Sequence, residues 1–174
     1  MLEMKKLLVL SFVAIGFLNA NAQKPFTATV DNSNVTILNG IIQKNDLTTN
    51  AAFTSWYTTN QAGYKIDTSI TKVMASTKDK VQYVVFGGTW CGDTQYILPK
   101  FFKLQEQSGL SEHSISFYGV DRSKKTLGNI ADAFKIINVP TIIVMKDGKE
   151  VGRVVEYGKT GKWDTELAQL LKTL

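Results

Sequence analysis

From Val81 to the C-terminus, apolar residues alternate between a two-residue and a 3.6-residue period, and this alternation restricts the possible folds of the 174-residue chain most tightly. A strand is predicted over 81–86. A helix over about 93–107 follows, with Ile97, Leu98, Phe101, Phe102, Leu104 and Gln105 along one stripe. A strand over 115–120 leads through the polar loop Asp121–Lys125 to a short helix over about 129–137, which carries Ala131, Ala133, Phe134 and Ile136. Strands over 141–145 and 150–155 flank Asp147-Gly148, a strong hairpin signal. A last helix over 163–171 carries Trp163, Leu167, Leu170 and Leu171. The order βαβαββα predicts an α/β domain with a central mixed sheet flanked by helices.

The upstream residues read differently. Lys5 and Lys6 precede an apolar run from Leu7 to Leu18, and Ala20-Asn21-Ala22 places small residues two apart, so 1–22 read as a cleavable signal peptide. The run is shorter than the roughly 20 apolar residues of a membrane helix. The expectation is a periplasmic or secreted protein with no stable membrane insertion after cleavage. Residues 23–80 are expected to form an N-terminal extension of short strands and helices packed on a core of residues 81–174. In it, Thr27–Val30 and Val35–Leu38 flank an Asp/Asn/Ser turn, Asn45 to Asn60 has an imperfect helical face, and Asp67 is placed to cap a helix carrying Ile70, Val73 and Met74.

The formal charge of +5 is scattered, with no basic doublet longer than Lys124-Lys125, which argues against a nucleic-acid surface. One cysteine, Cys91, excludes an internal disulfide. With a single histidine, His113, in a polar loop, no metal cluster is expected, and no cofactor is assigned.

Cys91 lies in Trp90-Cys91-Gly92-Asp93-Thr94, between a predicted strand and a predicted helix, and Val139-Pro140-Thr141 opens a strand about fifty residues later. These motifs resemble the thioredoxin superfamily over roughly Tyr83 to Leu171. The resemblance implies a thioredoxin-like fold, with Cys91 as nucleophile, Trp90 flanking the sulfur, and Pro140 in the cis form facing it. It also implies that Val139 offers backbone groups to an extended peptide, a form of strand addition. Trp90, Gly92, Asp93, Val139 and Pro140 are thus the expected substrate-binding residues, and Cys91 and Thr94 the expected catalytic ones.

The chain departs from the family in three places. Thr94 stands where the second active-site cysteine is expected, Val85 stands where thioredoxins keep a buried acid, and Asp93 follows Gly92 where many carry proline. A helix starting near Gly92 favours a thiolate at Cys91, by about 0.3–1 kcal/mol and up to about 2. Asp93 within about 6 Å of the sulfur opposes it by about 3 kcal/mol at an effective dielectric near 20. Thr94 reads either as a helix-start hydroxyl bonding backbone or as a donor to the Cys91 thiolate. The Gly87-Gly88 step reads as a site of close backbone approach.

The leading expectation is an exported monothiol protein. Cys91 forms a mixed disulfide with an exported protein or peptide, in thiol–disulfide exchange or isomerisation, and an external thiol, including a small-molecule thiol, resolves it. The alternative is a peptide-binding or protein-binding module of the same fold with no covalent step. A structural or stress protein with a vestigial site is the third reading.

Overall fold

A computed structural model describes residues 25–174; the expected signal peptide lies outside the described residues. The strands are β1 (Phe26–Val30), β2 (Thr36–Ile42), β3 (Gln82–Gly87), β4 (Ile115–Gly119), β5 (Thr141–Lys146) and β6 (Lys149–Val155). The helices are α1 (Lys44–Thr48), α2 (Ala51–Ala62), α3 (Thr68–Thr77), α4 (Gly92–Ser108), α5 (Ile130–Ala133) and α6 (Trp163–Leu171).

The strands form one mixed sheet in the order β1-β2-β4-β3-β5-β6, with β3 and β4 parallel and every other neighbouring pair antiparallel. Alternation along β3 sorts its side chains by face. Tyr83 and Val85 join the larger core, with Ile97, Leu98 and Phe101 of α4, Phe53 and Tyr57 of α2, Met74 of α3 and Leu167 of α6. Phe86 faces the other side, in a smaller cluster with Val120, Ala131, Val139 and Ile143. Residues 26–42 belong to the same sheet, since Gly40–Ile42 pair with Phe117–Gly119 of β4. Leu38, Ile42 and Leu47 are buried in the larger core.

Strand direction decides what gathers around Cys91. The parallel strands β3 and β4 both end on one side of the sheet. The antiparallel neighbours β2 and β5 begin on that side, and β6 ends there. Five connections therefore meet at one edge: the β1–β2 turn, the loop after β3, the loop after β4, the Val139-Pro140 step and the turn after β6.

Three elements differ from the sequence expectation. The helix expected over 45–60 is two helices, because the Asn50 side chain accepts the Ala52 amide and starts a new helix. The helix expected over 129–137 is a single turn ending at Ala133, and Lys135 is left-handed at φ 53°. β2 continues to Ile42, four residues past the expected end at Leu38.

Candidate active site around Cys91

Cys91 is the N-cap of the 17-residue helix α4, with extended backbone (φ −93°, ψ 124°), and its side chain makes no capping hydrogen bond. The first-turn amides of α4 thus keep their partial positive charge beside the sulfur. Cys91 is half-buried, and Gly92 faces open space, with nothing within 4 Å of where a Cβ would stand. Cys91 is thus partly exposed beside an open stretch of backbone.

The opposite side is built from backbone. The Cys91 thiol donates to the Val139 carbonyl at 3.2 Å, and the Val139-Pro140 bond is cis. Both residues are buried. The carbonyl that the resemblance assigns to a bound peptide thus accepts the Cys91 S–H.

Trp90 flanks Cys91 and is fixed by two contacts: its Nε1 donates to the Val120 carbonyl at 3.0 Å, and the Arg122 guanidinium lies 5.3 Å from the ring centre. A side chain on Gly88 would place its Cβ 2.6 Å from the indole, so only glycine fits beneath the ring. Thr94 is 1% exposed, and its hydroxyl accepts the Gly88 amide at 3.2 Å. The residue at the expected resolving position therefore braces the loop that carries Trp90. Val85, at the position where the thioredoxin pattern keeps an acid, is fully buried in the apolar core.

Asp93 is partly exposed on the first turn of α4. Partial burial, and then the Asp93 carboxylate facing its hydroxyl, push the Tyr157 phenol up to about 12. The Tyr157 ring lies 5.8 Å from that of Tyr96, and buried Lys100 sits 2.8 Å below the centre of the Tyr96 ring. The Glu156 amide donates to the Pro140 carbonyl at 2.7 Å, which fixes the turn carrying Tyr157 beside the cis-proline step. Ile137, 76% exposed, lies just before that step.

The site brings together Trp90, Cys91, Gly92, Asp93, Val139 and Pro140, with Thr94 in the layer beneath. Sequence reasoning missed Tyr157, Tyr96, Arg122, Asp31 and Thr89. The last is 2% exposed and ties the loop after β3 to β2: its hydroxyl donates to the Thr36 carbonyl at 2.9 Å and accepts the Leu38 amide at 3.2 Å. A usable signal existed for Arg122, which lies in a polar loop directly after an apolar strand. Trp56, Tyr57 and Tyr64 belong to the α2 side of the larger core, with Tyr57 1% exposed. Among the described residues, no group of three or more His, Cys, Asp or Glu could hold a metal, and no helix is long and apolar enough to cross a membrane.

Comparison with known proteins agrees with this architecture. The thioredoxin family model matches residues 64–172, from the residue Tyr64 before α3 through α6. Thioredoxin-1 of Saccharomyces cerevisiae is 36% identical over 81 residues, 47% of this chain and 73% of the yeast protein. A thioredoxin-like protein of Acanthamoeba polyphaga mimivirus is 33% identical over 76 residues, 44% of this chain, and the match spans 53% of the viral protein. A Pseudomonas aeruginosa protein of unknown function superposes with a TM-score of 0.54 at 15% identity, over 75% of this chain and 92% of its own, a likeness of fold. The β1–β2 hairpin, α1 and α2 precede the matched region. By the family match and by the arrangement of sheet, helix α4 and cis-proline step, this chain belongs to the thioredoxin family.

Proposed function

We propose that the protein is an exported monothiol member of the family that exchanges disulfides through Cys91. The observation that carries this reading is a half-buried thiol at the N-terminus of α4, 3.2 Å from the Val139 carbonyl, with buried Thr94 at the expected resolving position. The Cys91 thiolate attacks one sulfur of a partner disulfide. A Cys91–partner S–S bond forms, the partner's own S–S bond breaks, and the released sulfur leaves as a thiolate that takes a proton from water. A second thiolate then attacks the mixed disulfide and returns Cys91 as a thiolate.

When the attacking thiol belongs to the partner, its disulfides are rearranged with no net oxidation or reduction. When it is a small-molecule thiol, its sulfur bonds to the partner sulfur that Cys91 leaves; a second small thiol then attacks that bond, so the partner disulfide is reduced to two thiols and the two small thiols are oxidised to their disulfide. Thr94 carries no sulfur and cannot release the partner, so the intermediate waits for one of these thiols. Asp93, Gly92, Trp90 and Val139-Pro140 form the surface on which an extended partner segment lies.

The test is covalent capture of a protein with scrambled disulfides by the mature chain, beside Cys91→Ser. A partner adduct that reducing agent removes and Cys91→Ser abolishes supports the reading. Equal, non-covalent retention by both proteins supports the binding module instead. Export is tested in the same preparation: the secreted or periplasmic fraction is expected to yield a protein whose mass starts at Gln23.

A further inference from the structure

The hairpin β1–β2 precedes the region matched by the family, yet it reaches the flank of Cys91. The Asp31 carboxylate on its turn is held at both oxygens. Oδ1 accepts the Ser33 and Val35 amides at 2.8 and 3.0 Å, and Oδ2 accepts Nε of Arg122 at 2.7 Å and lies 2.6 Å from its Nη2. Those contacts, the Val35 amide foremost, hold the Asp31 carboxyl below the usual aspartate range. An aspartate locked by its own turn loses little further freedom when it grips a guanidinium, unlike an ordinary surface pair.

The Arg122 guanidinium also lies over the Trp90 indole, its Cζ 5.3 Å from the ring centre. The indole is tied at its other end to the Val120 carbonyl, two residues before Arg122. Hairpin, β4 loop and Trp90 thus form one closed set of contacts. The hairpin also grips the loop after β3, which carries Trp90, through the Thr89 hydroxyl, bonded to Thr36 and Leu38 of β2. It grips the loop after β4 through Asn39, whose Nδ2 donates to the Lys125 carbonyl at 3.1 Å.

We infer that Arg122, held by Asp31, is a positioning residue that sets the Trp90 indole as one wall of the partner-binding surface, so that residues outside the family core select what reaches Cys91. The inference rests on the disulfide-exchange reading for its functional consequence, and on contacts alone for its structural one. With the wall fixed, a peptide disulfide is guided over Gly92 toward Val139-Pro140. A small reagent needs no such guidance.

The experiment uses the mature chain and the variants Asp31→Asn, Arg122→Gln, Arg122→Lys and the double Asp31→Asn/Arg122→Gln. Three quantities are read: the rate of Cys91 alkylation by iodoacetamide, the rate of mixed-disulfide formation with a cystine-bridged peptide, and acrylamide quenching of Trp90, taken as the difference from Trp90→Phe. The expected result is a roughly two- to five-fold slower peptide reaction in Asp31→Asn and Arg122→Gln, the size of a lost exposed cation–π contact. Iodoacetamide rates stay within about two-fold, and Trp90 becomes more accessible to acrylamide. The double variant is no worse than either single, as for residues in one linked set. Arg122→Lys rescues only in part, because a single ammonium cannot place two N–H groups on Asp31 and a cation over the indole at once.

Unchanged quenching and an unchanged peptide-to-iodoacetamide ratio in both single variants would overturn the inference. So would effects of the two singles that multiply in the double. If wild-type Cys91 does not react with the peptide disulfide at all, it is the disulfide-exchange reading that fails, and the quenching comparison alone decides whether the clamp positions Trp90.

Discussion

Replacing Thr89 by valine keeps the shape of the side chain and removes one hydroxyl. In the wild type that hydroxyl serves two backbone groups of β2, donating to Thr36 O at 2.9 Å and accepting from Leu38 N at 3.2 Å, and the residue is 2% exposed. Valine leaves both groups without a partner. A buried polar group left unsatisfied costs about 1–3 kcal/mol. The Thr36 end is only partly buried, so water recovers some of that cost there. The expected loss is about 2–4 kcal/mol, a large share of the roughly 5–15 kcal/mol that holds a domain folded. In urea, with a slope near 2 kcal/mol per molar, the midpoint falls by about 1–2 M. Thr89→Ser keeps the hydroxyl, loses one methyl, and is expected to fall by less than half as much. If valine costs no more than serine, the hydroxyl does not tie the active-site loop to β2, and the hairpin does not support the site through Thr89.

Other outcomes follow from the same contacts. Gly88→Ala puts a Cβ 2.6 Å from the Trp90 indole, so calorimetry is expected to show about 1–3 kcal/mol of destabilisation together with increased acrylamide quenching of Trp90. Thr94→Cys supplies a second sulfur near Cys91, and the lifetime of a Cys91 mixed disulfide is expected to collapse without added thiol, as read by non-reducing mass spectrometry. Tyr157 titrates near 10 when unfolded and at about 12 in the folded protein. Because the folded value is the higher one, the stability linked to this group is fully present below pH 10 and is lost as the pH rises from about 10 to 12. Asp93→Asn is expected to bring the Tyr157 phenolate absorbance, measured against Tyr157→Phe, in at lower pH.

The part of the fold with strong periodicity was readable. From β3 onward every element except the shortened α5 lies where its apolar stripe or alternation places it, and the Gln105 end of the α4 stripe is buried as expected. The shorter signals misled at their edges for local reasons. Asn50 is both a poor helix former and a good N-cap, so it divided one expected helix into two. Asn39-Gly40 resembles a turn, yet Gly40 at φ 129° sits inside β2, where a Cβ would lie 2.5 Å from the Pro25 carbonyl. The left-handed Lys135 ends α5 early and leaves Ile137 in solvent.

At the site, Trp90-Cys91-Gly92-Asp93 and Val139-Pro140 were visible because they are contiguous motifs. Asp31 and Tyr157 were not, because only strand direction brings them there; Thr89 adjoins the motif and Arg122 follows an apolar strand, but their bonds to β2, Asp31 and Trp90 depend on the same topology. The antiparallel pairing of β2 with β4 carries the β1–β2 turn to the end of the sheet where Cys91 lies. No spacing in one dimension records that Asp31 and Arg122, 91 residues apart, share a carboxylate oxygen.

The central claim, a single thiol that captures a partner and waits for another thiol to release it, is tested most directly by intact-mass spectrometry. The folded mature protein is mixed with a cystine-bridged peptide, freed of excess peptide, and followed with and without an added monothiol. The account predicts a one-to-one adduct at Cys91, absent in Cys91→Ser, that persists until the monothiol is added. An adduct that decays unaided, or a Cys91 that reacts only after unfolding, would contradict it.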